Sequence, residues 1–222
     1  MTRETRLNHT LPLLLYIATA ITGLIDAISY LALGHVFTAN MTGNVVFLAF
    51  AVAGAPGLSI TRSLTALIAF LIGALIGGRA ATRLSELLTP SWITIALSLE
   101  SAFLLAATLV AINFPDSSGS SFRLYSIIVL TASAMGIRNA TVRKMAIPDL
   151  TTTVLTLTIT GLAADSRLAG GTSPRWRRRL LAILLMFVGA ALGTLLLRHS
   201  LVLPLATARL LSTCCVAISM KR

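Results

Sequence analysis

Six apolar runs of 18 to 23 residues dominate the chain: 11–33, 64–81, 93–112, 124–142, 180–197 and 201–220. A helix rises 1.5 Å per residue, so each run reaches roughly across a hydrocarbon core of about 30 Å. Few soluble folds bury six such segments. Composition agrees: 56% of the 222 residues are hydrophobic, 11% are charged and the mean hydropathy is +0.89. Ordinary soluble domains carry about 25% charged residues. The length leaves room for a single transmembrane domain over 1–222 and for no separate soluble one.

Two stretches interrupt this pattern without the charge of a surface loop. Gly34 to Leu48 reads GHVFTANMTGNVVFL and holds no Lys, Arg, Asp or Glu. An ion in hydrocarbon costs several kcal/mol, and a hydrogen-bonded amide costs much less, so this is the composition of a polar break inside a membrane. From Ala146 the chain reads AIPDLTTTVLTL, and Asn40–Val45 aligns with Asp149–Val154. After each break comes a short apolar piece, 44–55 and about 151–164. The first, a dozen residues, reaches only about 18 Å as helix.

The order span, break, short piece, span, span therefore occurs twice, over about 11–113 and 122–220. Gly23-Leu-Ile-Asp26-Ala27 matches Gly136-Ile-Arg-Asn139-Ala140, and the pairs Gly73/Gly77 and Gly189/Gly193 fall in corresponding spans. Glu100 and Arg209 share the 109-residue offset of Asn40 and Asp149. Internal duplication follows.

Charge sets the topology. With the N-terminus inside and both short pieces re-entrant, 14 basic residues lie inside and 3 outside, with Arg209 within the membrane. Crossing short pieces give 11 and 6. The positive-inside rule selects the first arrangement, whose three-span halves are inverted relative to each other. Interrupted segments at matching places in inverted halves point to a transport site. The net charge of +11 is read this way and not as nucleic-acid binding, because no basic patch is interleaved with aromatics on a polar domain. Arg3 and Arg6 before an apolar run resemble a signal peptide, but the run continues to Leu33, too far for one.

Several side chains are candidates for chemistry. Asp26 within span one is either a proton or substrate site or a structural hydrogen-bonding group, with Tyr30 one turn away as a partner. Asn40, Thr42 and Asn44 in the first break, and Asp149, Thr151, Thr152 and Thr153 in the second, suit helix capping and solute binding alike. Asn139 occupies the place of Asp26 in the second half. If the short helices dip in from opposite faces, their positive ends meet near the midplane, which suits a polar or anionic solute. Glu100 and Arg209 are expected to form a structural ion pair across the repeat axis. His35 is a candidate proton carrier or, more simply, a hydrogen-bonding group lining the first break. His9 and His199 are interfacial, and Cys214 and Cys215 fill space. No metal-ligand cluster, phosphate loop or nucleophile motif stands out, so no cofactor and no enzymatic activity are expected.

The run from Gly23 to Val46, with Gly136–Lys144 and Asp149–Thr156, resembles the signature of the YoaK-type family of bacterial inner-membrane proteins. That family carries a domain of unknown function and is described in terms of six-span candidate transporters. The resemblance implies location and architecture, and supplies no substrate. The basic loop Arg167–Arg179 lies outside the matching motifs.

The expected fold is an all-α polytopic membrane bundle of two inverted three-span repeats, each with a short re-entrant helix. The expected function is transport of a small polar or anionic solute, proton-coupled through Asp26. The alternatives are a passive channel and a non-transporting accessory protein. Expected partners are the lipid bilayer of the inner membrane, with both termini cytoplasmic, and an unidentified solute. A homo-oligomer is left open.

Overall fold

The computed structural model describes residues 3–85, 91–112, 121–145 and 155–220. These form α1 (Arg3–Ala32), α2 (Met41–Val52), α3 (Ile60–Ser85), α4 (Ser91–Ile112), α5 (Ser121–Met145), α6 (Leu155–Ala164), α7 (Trp176–Leu197) and α8 (Val202–Met220). A 3-10 turn, Arg167–Ala169, lies between α6 and α7. Among the described residues there is no strand.

The helices accept hydroxyls within their apolar runs because a threonine can bond its own backbone. Thr19, Thr22, Thr108, Thr131 and Thr141 each donate to the carbonyl four residues back, which leaves no free donor for lipid to solvate. Five helices, all but α5 among the long ones, are long and apolar enough to cross a membrane. The 25-residue α5 is as long but carries Arg138, Arg143 and Lys144. Its middle is sealed in the bundle: Ala132, Ala134, Met135 and Ile137 have no exposed surface.

Glycines set the closest packing. Gly73 and Gly77 of α3 rest on the backbone of Ser133 and Ile137 in α5, and Gly136 of α5 rests on Phe70 and Ala74. The same arrangement joins α7 to α1. Gly189 and Gly193 meet Ala20 and Leu24, and Gly23 meets Met186 and Ala190. A Cβ at Gly23, Gly73, Gly136 or Gly189 would run into a backbone carbonyl. Without a hydrophobic drive between helices in lipid, this backbone proximity supplies much of the association.

The contacts also give relative directions. Residue numbers rise together along α3 and α5, and along α1 and α7, so both pairs are parallel. The α4–α8 pair is antiparallel, joined by hydroxyl pairs Thr94–Ser219 and Ser101–Thr213, both 3.0 Å. The α1–α5 pair is antiparallel too, since Leu15 packs with Val142 while Arg138 reaches Ala18 and Thr22.

The short helices lie on separate flanks, α2 against α3 and α6 against α7, with no contact between them among the described residues. The expected meeting of their N-termini is therefore not seen on the described side, and residues 146–154, which precede α6, lie outside the described set. Val45, Val46, Phe50 and Val52 leave the outer face of α2 exposed and apolar. The basic run is shorter as a loop than expected. The turn ends at Arg175 in a left-handed conformation (φ 56°), and Arg177–Arg179 already belong to the first turn of α7. Arginine is a good helix former, and no breaker stands between Trp176 and Leu180.

Candidate functional site

The chain leaves α1 through two successive left-handed residues, Gly34 (φ 85°) and His35 (φ 58°). It then folds back alongside α1. The backbone N–H groups of Ala39 and Asn40 lie at the carboxyl of Asp26. Asp26 is six residues short of the end of α1, so the segment has returned about 9 Å along the helix. There α2 begins, with Asn40 as N-cap accepting from the Gly43 N–H at 3.3 Å. A helix start carries unsatisfied N–H groups and a positive dipole end, which favours a negative group beside it. Asp26 supplies that group from α1.

Asn44 holds the fold-back in shape. Its Oδ1 accepts from the Phe37 N–H at 2.8 Å, and its Nδ2 donates to the Phe37 carbonyl. The amide thus imitates a paired strand for one residue, and Asn44 is wholly buried. The rings of Tyr30, Phe37 and Phe47 stack over this clasp, with centroids 5.4 to 6.0 Å apart. At the far end of the excursion Arg62, near the start of α3, donates to the Gly34 carbonyl at 3.2 Å. The start and the finish of the break are therefore adjacent.

Two polar atoms in this region are buried without a partner: Asp26 Oδ1 and Thr38 Oγ1. Most buried polar groups are bonded, so an orphaned carboxylate oxygen stands out.

The structure thus brings Asp26, Asn40 and Asn44 together. Thr42 is exposed on α2. Tyr30 joins the aromatic stack instead of bonding Asp26. His35 is exposed, with its ring edge-on to Tyr30 at 5.1 Å. Asn139 donates to the Met135 carbonyl at 2.8 Å. Asp149, Thr151, Thr152 and Thr153 lie outside the described residues.

The expected Glu100–Arg209 pair is corrected. Glu100 of α4 is instead bound by Arg138 of α5, whose Nε donates to Oε2 at 2.9 Å and whose NH2 donates to Oε1. Ser212 of α8 donates to the same carboxylate at 2.8 Å, and Arg138 NH1 reaches the Ala18 carbonyl of α1 at 2.9 Å. One ion pair thus ties four helices. A cavity of about 20 Å³ bordered by Leu14, Leu97, Glu100 and Arg138 adjoins it, room for one water. Arg209 is only partly buried, and its Nε lacks a partner. It is Arg138, and not Arg209, that faces Glu100. Arg138 is one of the 14 basic residues that the charge count places on the cytoplasmic side, and the structure buries it inside the bundle instead. The signal it offered was its place inside the Gly136–Ala140 motif, seven residues before α5 ends.

A family model described as protein of unknown function (DUF1275) matches residues 14–219. The chain belongs to that family. The UPF0700 transmembrane protein YoaK of Bacillus subtilis (strain 168) is 39% identical to the chain over 147 residues. The matched region is 64% of this chain and 61% of the relative, so the chain spans about three-fifths of that protein's length. No solved structure matches. Membership in DUF1275 and the apolar helices together make the chain an integral membrane protein, and the resemblance first seen in the ANMTGN stretch is correct. DUF1275 carries no assigned activity, so a function rests on the site itself.

Proposed function

We propose that this DUF1275 protein is a six-span inner-membrane transporter of a small polar solute, coupled to protonation of Asp26. The carrying observation is the orphaned Asp26 Oδ1, on a side chain 9% exposed, facing the fold-back segment. A purely structural carboxylate would be expected to have both oxygens satisfied. Ionisable groups held deep in a membrane bundle mark ion and proton pathways.

The architecture supports this reading. Since α3 parallels α5 and α5 opposes α1, α3 opposes α1. An even number of crossings then separates them, so α2 is re-entrant. The contact of Arg62 with Gly34 agrees. The same logic makes α7 oppose α5 and α6 re-entrant. On this reading each half is three spans and one short helix, and the exchanged pairings α1–α7 and α5–α3 support inverted halves. Moving Arg138 into the membrane leaves 13 basic residues inside and 3 outside, so the termini are cytoplasmic. In sequence, Asn139 replaces Asp26 and Asp149 replaces Asn40, so each half carries one carboxylate and one amide.

Asp26 also narrows the solute. The positive end of α2 already faces a carboxylate, which disfavours a free anion there while Asp26 is ionised. A neutral polar solute moving with a proton fits better. The proposal assigns no enzymatic activity.

The test is flux into proteoliposomes loaded with a pH-sensitive dye, across a panel of small polar solutes. At least one solute should move protons, and Asp26→Asn should abolish that coupling. Flux that is unchanged by Asp26→Asn and indifferent to pH would indicate a passive channel. No flux of any solute, with a fixed protein partner co-purifying, would indicate an accessory protein.

A further inference from the structure

The outer face of α3 has a feature that transport does not use. Near its C-terminal end lies an open groove of about 350 Å³, lined by Ala74, Leu75, Gly78, Arg79, Thr82 and Arg83. Gly78 forms its floor: a Cβ built there meets nothing within 4 Å. This sets Gly78 apart from Gly73 and Gly77, which are pressed against α5. Leu75 is 58% exposed beside it. Arg79 and Arg83 are one helical turn apart on one face, both exposed, and neither has an ion-pair partner among the described residues. Glu86, three positions after Arg83 in sequence, lies outside those residues. Arg79 is nineteen residues past Ile60, about 29 Å along the axis, at the edge of a hydrocarbon core of about 30 Å. The parallel neighbour α5 ends at the same level with exposed Arg143 and Lys144.

We infer that this groove seats one anionic phospholipid, its acyl chain in the trough over Gly78 and its phosphate held by Arg79 and Arg83. The apolar floor and the paired cations are juxtaposed at the depth where a lipid changes from chain to headgroup. Guanidinium groups suit phosphate because their N–H donors form a planar fork. Thr82 takes no part in holding the phosphate, since its hydroxyl donates to the Gly78 carbonyl at 3.0 Å. A free phosphate ion would make no use of the trough, and a zwitterionic lipid would bring its own cation towards two arginines. This site is independent of Asp26 and of any transported solute.

Native mass spectrometry of the delipidated full chain, titrated with phosphatidylglycerol or phosphatidylcholine, tests the proposal. The wild type should retain one phosphatidylglycerol in preference to phosphatidylcholine. Arg79→Gln/Arg83→Gln should lower that adduct at least tenfold. Gly78→Leu should do the same with both charges in place, and it should fold, because the space above Gly78 is empty. Arg143→Gln/Lys144→Gln removes equal charge from the neighbouring helix and should change the adduct less than twofold. Equal retention of both lipids, an adduct indifferent to Gly78→Leu, or equal loss in the α5 variant would overturn the site. So would a dimer that forms through this face and is lost in Gly78→Leu.

Discussion

Arg138 and Glu100 form an ion pair at the centre of the bundle, 2% and 1% exposed, across the boundary between the two halves of the chain. Two features make it more than a neutralised charge. The guanidinium also binds α1, and the carboxylate also accepts from α8. Removing one partner leaves the other buried and unpaired, which costs about 3–5 kcal/mol in comparable sites. Glu100→Leu and Arg138→Met should each lower the apparent melting temperature in detergent sharply, and the double variant should recover most of the loss. The readout is the monodisperse fraction after heating. Additive losses in the double variant would show that the two residues act separately.

The glycine contacts predict a matched pattern of damage in the two halves. Gly73→Val and Gly189→Val each drive a side chain into a carbonyl of the partner helix. Both should abolish recovery of monodisperse protein, to similar extents, because the two interfaces repeat one geometry. Gly78→Val, one helix position beyond Gly77, should be recovered normally. Fluorescence-detected size exclusion measures all three side by side, and tolerance of Gly189→Val alone would argue against equivalent interfaces.

Asn44 tests whether the break is held open by its clasp. Asn44→Ala removes both bonds to Phe37 and leaves a partly buried N–H and carbonyl without their partner, a cost of at most about 1–3 kcal/mol for each group left unsatisfied. The fold-back should loosen while the long helices persist. In a background free of the native cysteines, Thr38→Cys should be inert to a water-soluble thiol reagent, and adding Asn44→Ala should raise its labelling rate at least tenfold. Asn44→Asp should behave like Asn44→Ala, since a carboxylate cannot donate to the Phe37 carbonyl.

Much of this architecture was legible in the sequence, for a physical reason. In lipid, helices must be long and apolar, so their positions appear as hydropathy, and the first break appears as polar composition without charge. The burial of Glu100 within an apolar run was legible as well. The direction a side chain faces was not. Hydropathy is nearly uniform around a lipid-embedded helix, so no stripe indicated that α4 turns Glu100 toward α5. Arg138 was misread because a charge near the end of an apolar run has the same sequence signature whether it anchors at the boundary or pairs inside. Gly73 and Gly189 stood out as members of matching glycine pairs, but their partners Ser133 and Ala20 depend on which helices become neighbours. Asn44 read as a cap or a ligand, since its bond to Phe37 exists only once the chain has turned back.

That turn-back makes the topology testable with three single cysteines. Cys214 is exposed and Cys215 is buried, so both are first replaced by Ser and Ala. His35 lies just before the fold-back, Arg62 just after α2, and Arg143 at the far end of α5. If α2 is re-entrant, His35→Cys and Arg62→Cys react with an impermeant maleimide from the same side. If α2 crosses, they react from opposite sides, and no rearrangement of the other helices alters that parity. Since α3 and α5 are parallel, Arg143→Cys should react from the side opposite Arg62→Cys. The charge distribution sets the absolute sense. In intact cells His35→Cys and Arg62→Cys should label directly, and Arg143→Cys only after the membrane is opened. Labelling of His35→Cys and Arg62→Cys from different sides would remove the re-entrant helix, the inverted repeat and with them the enclosed position of Asp26.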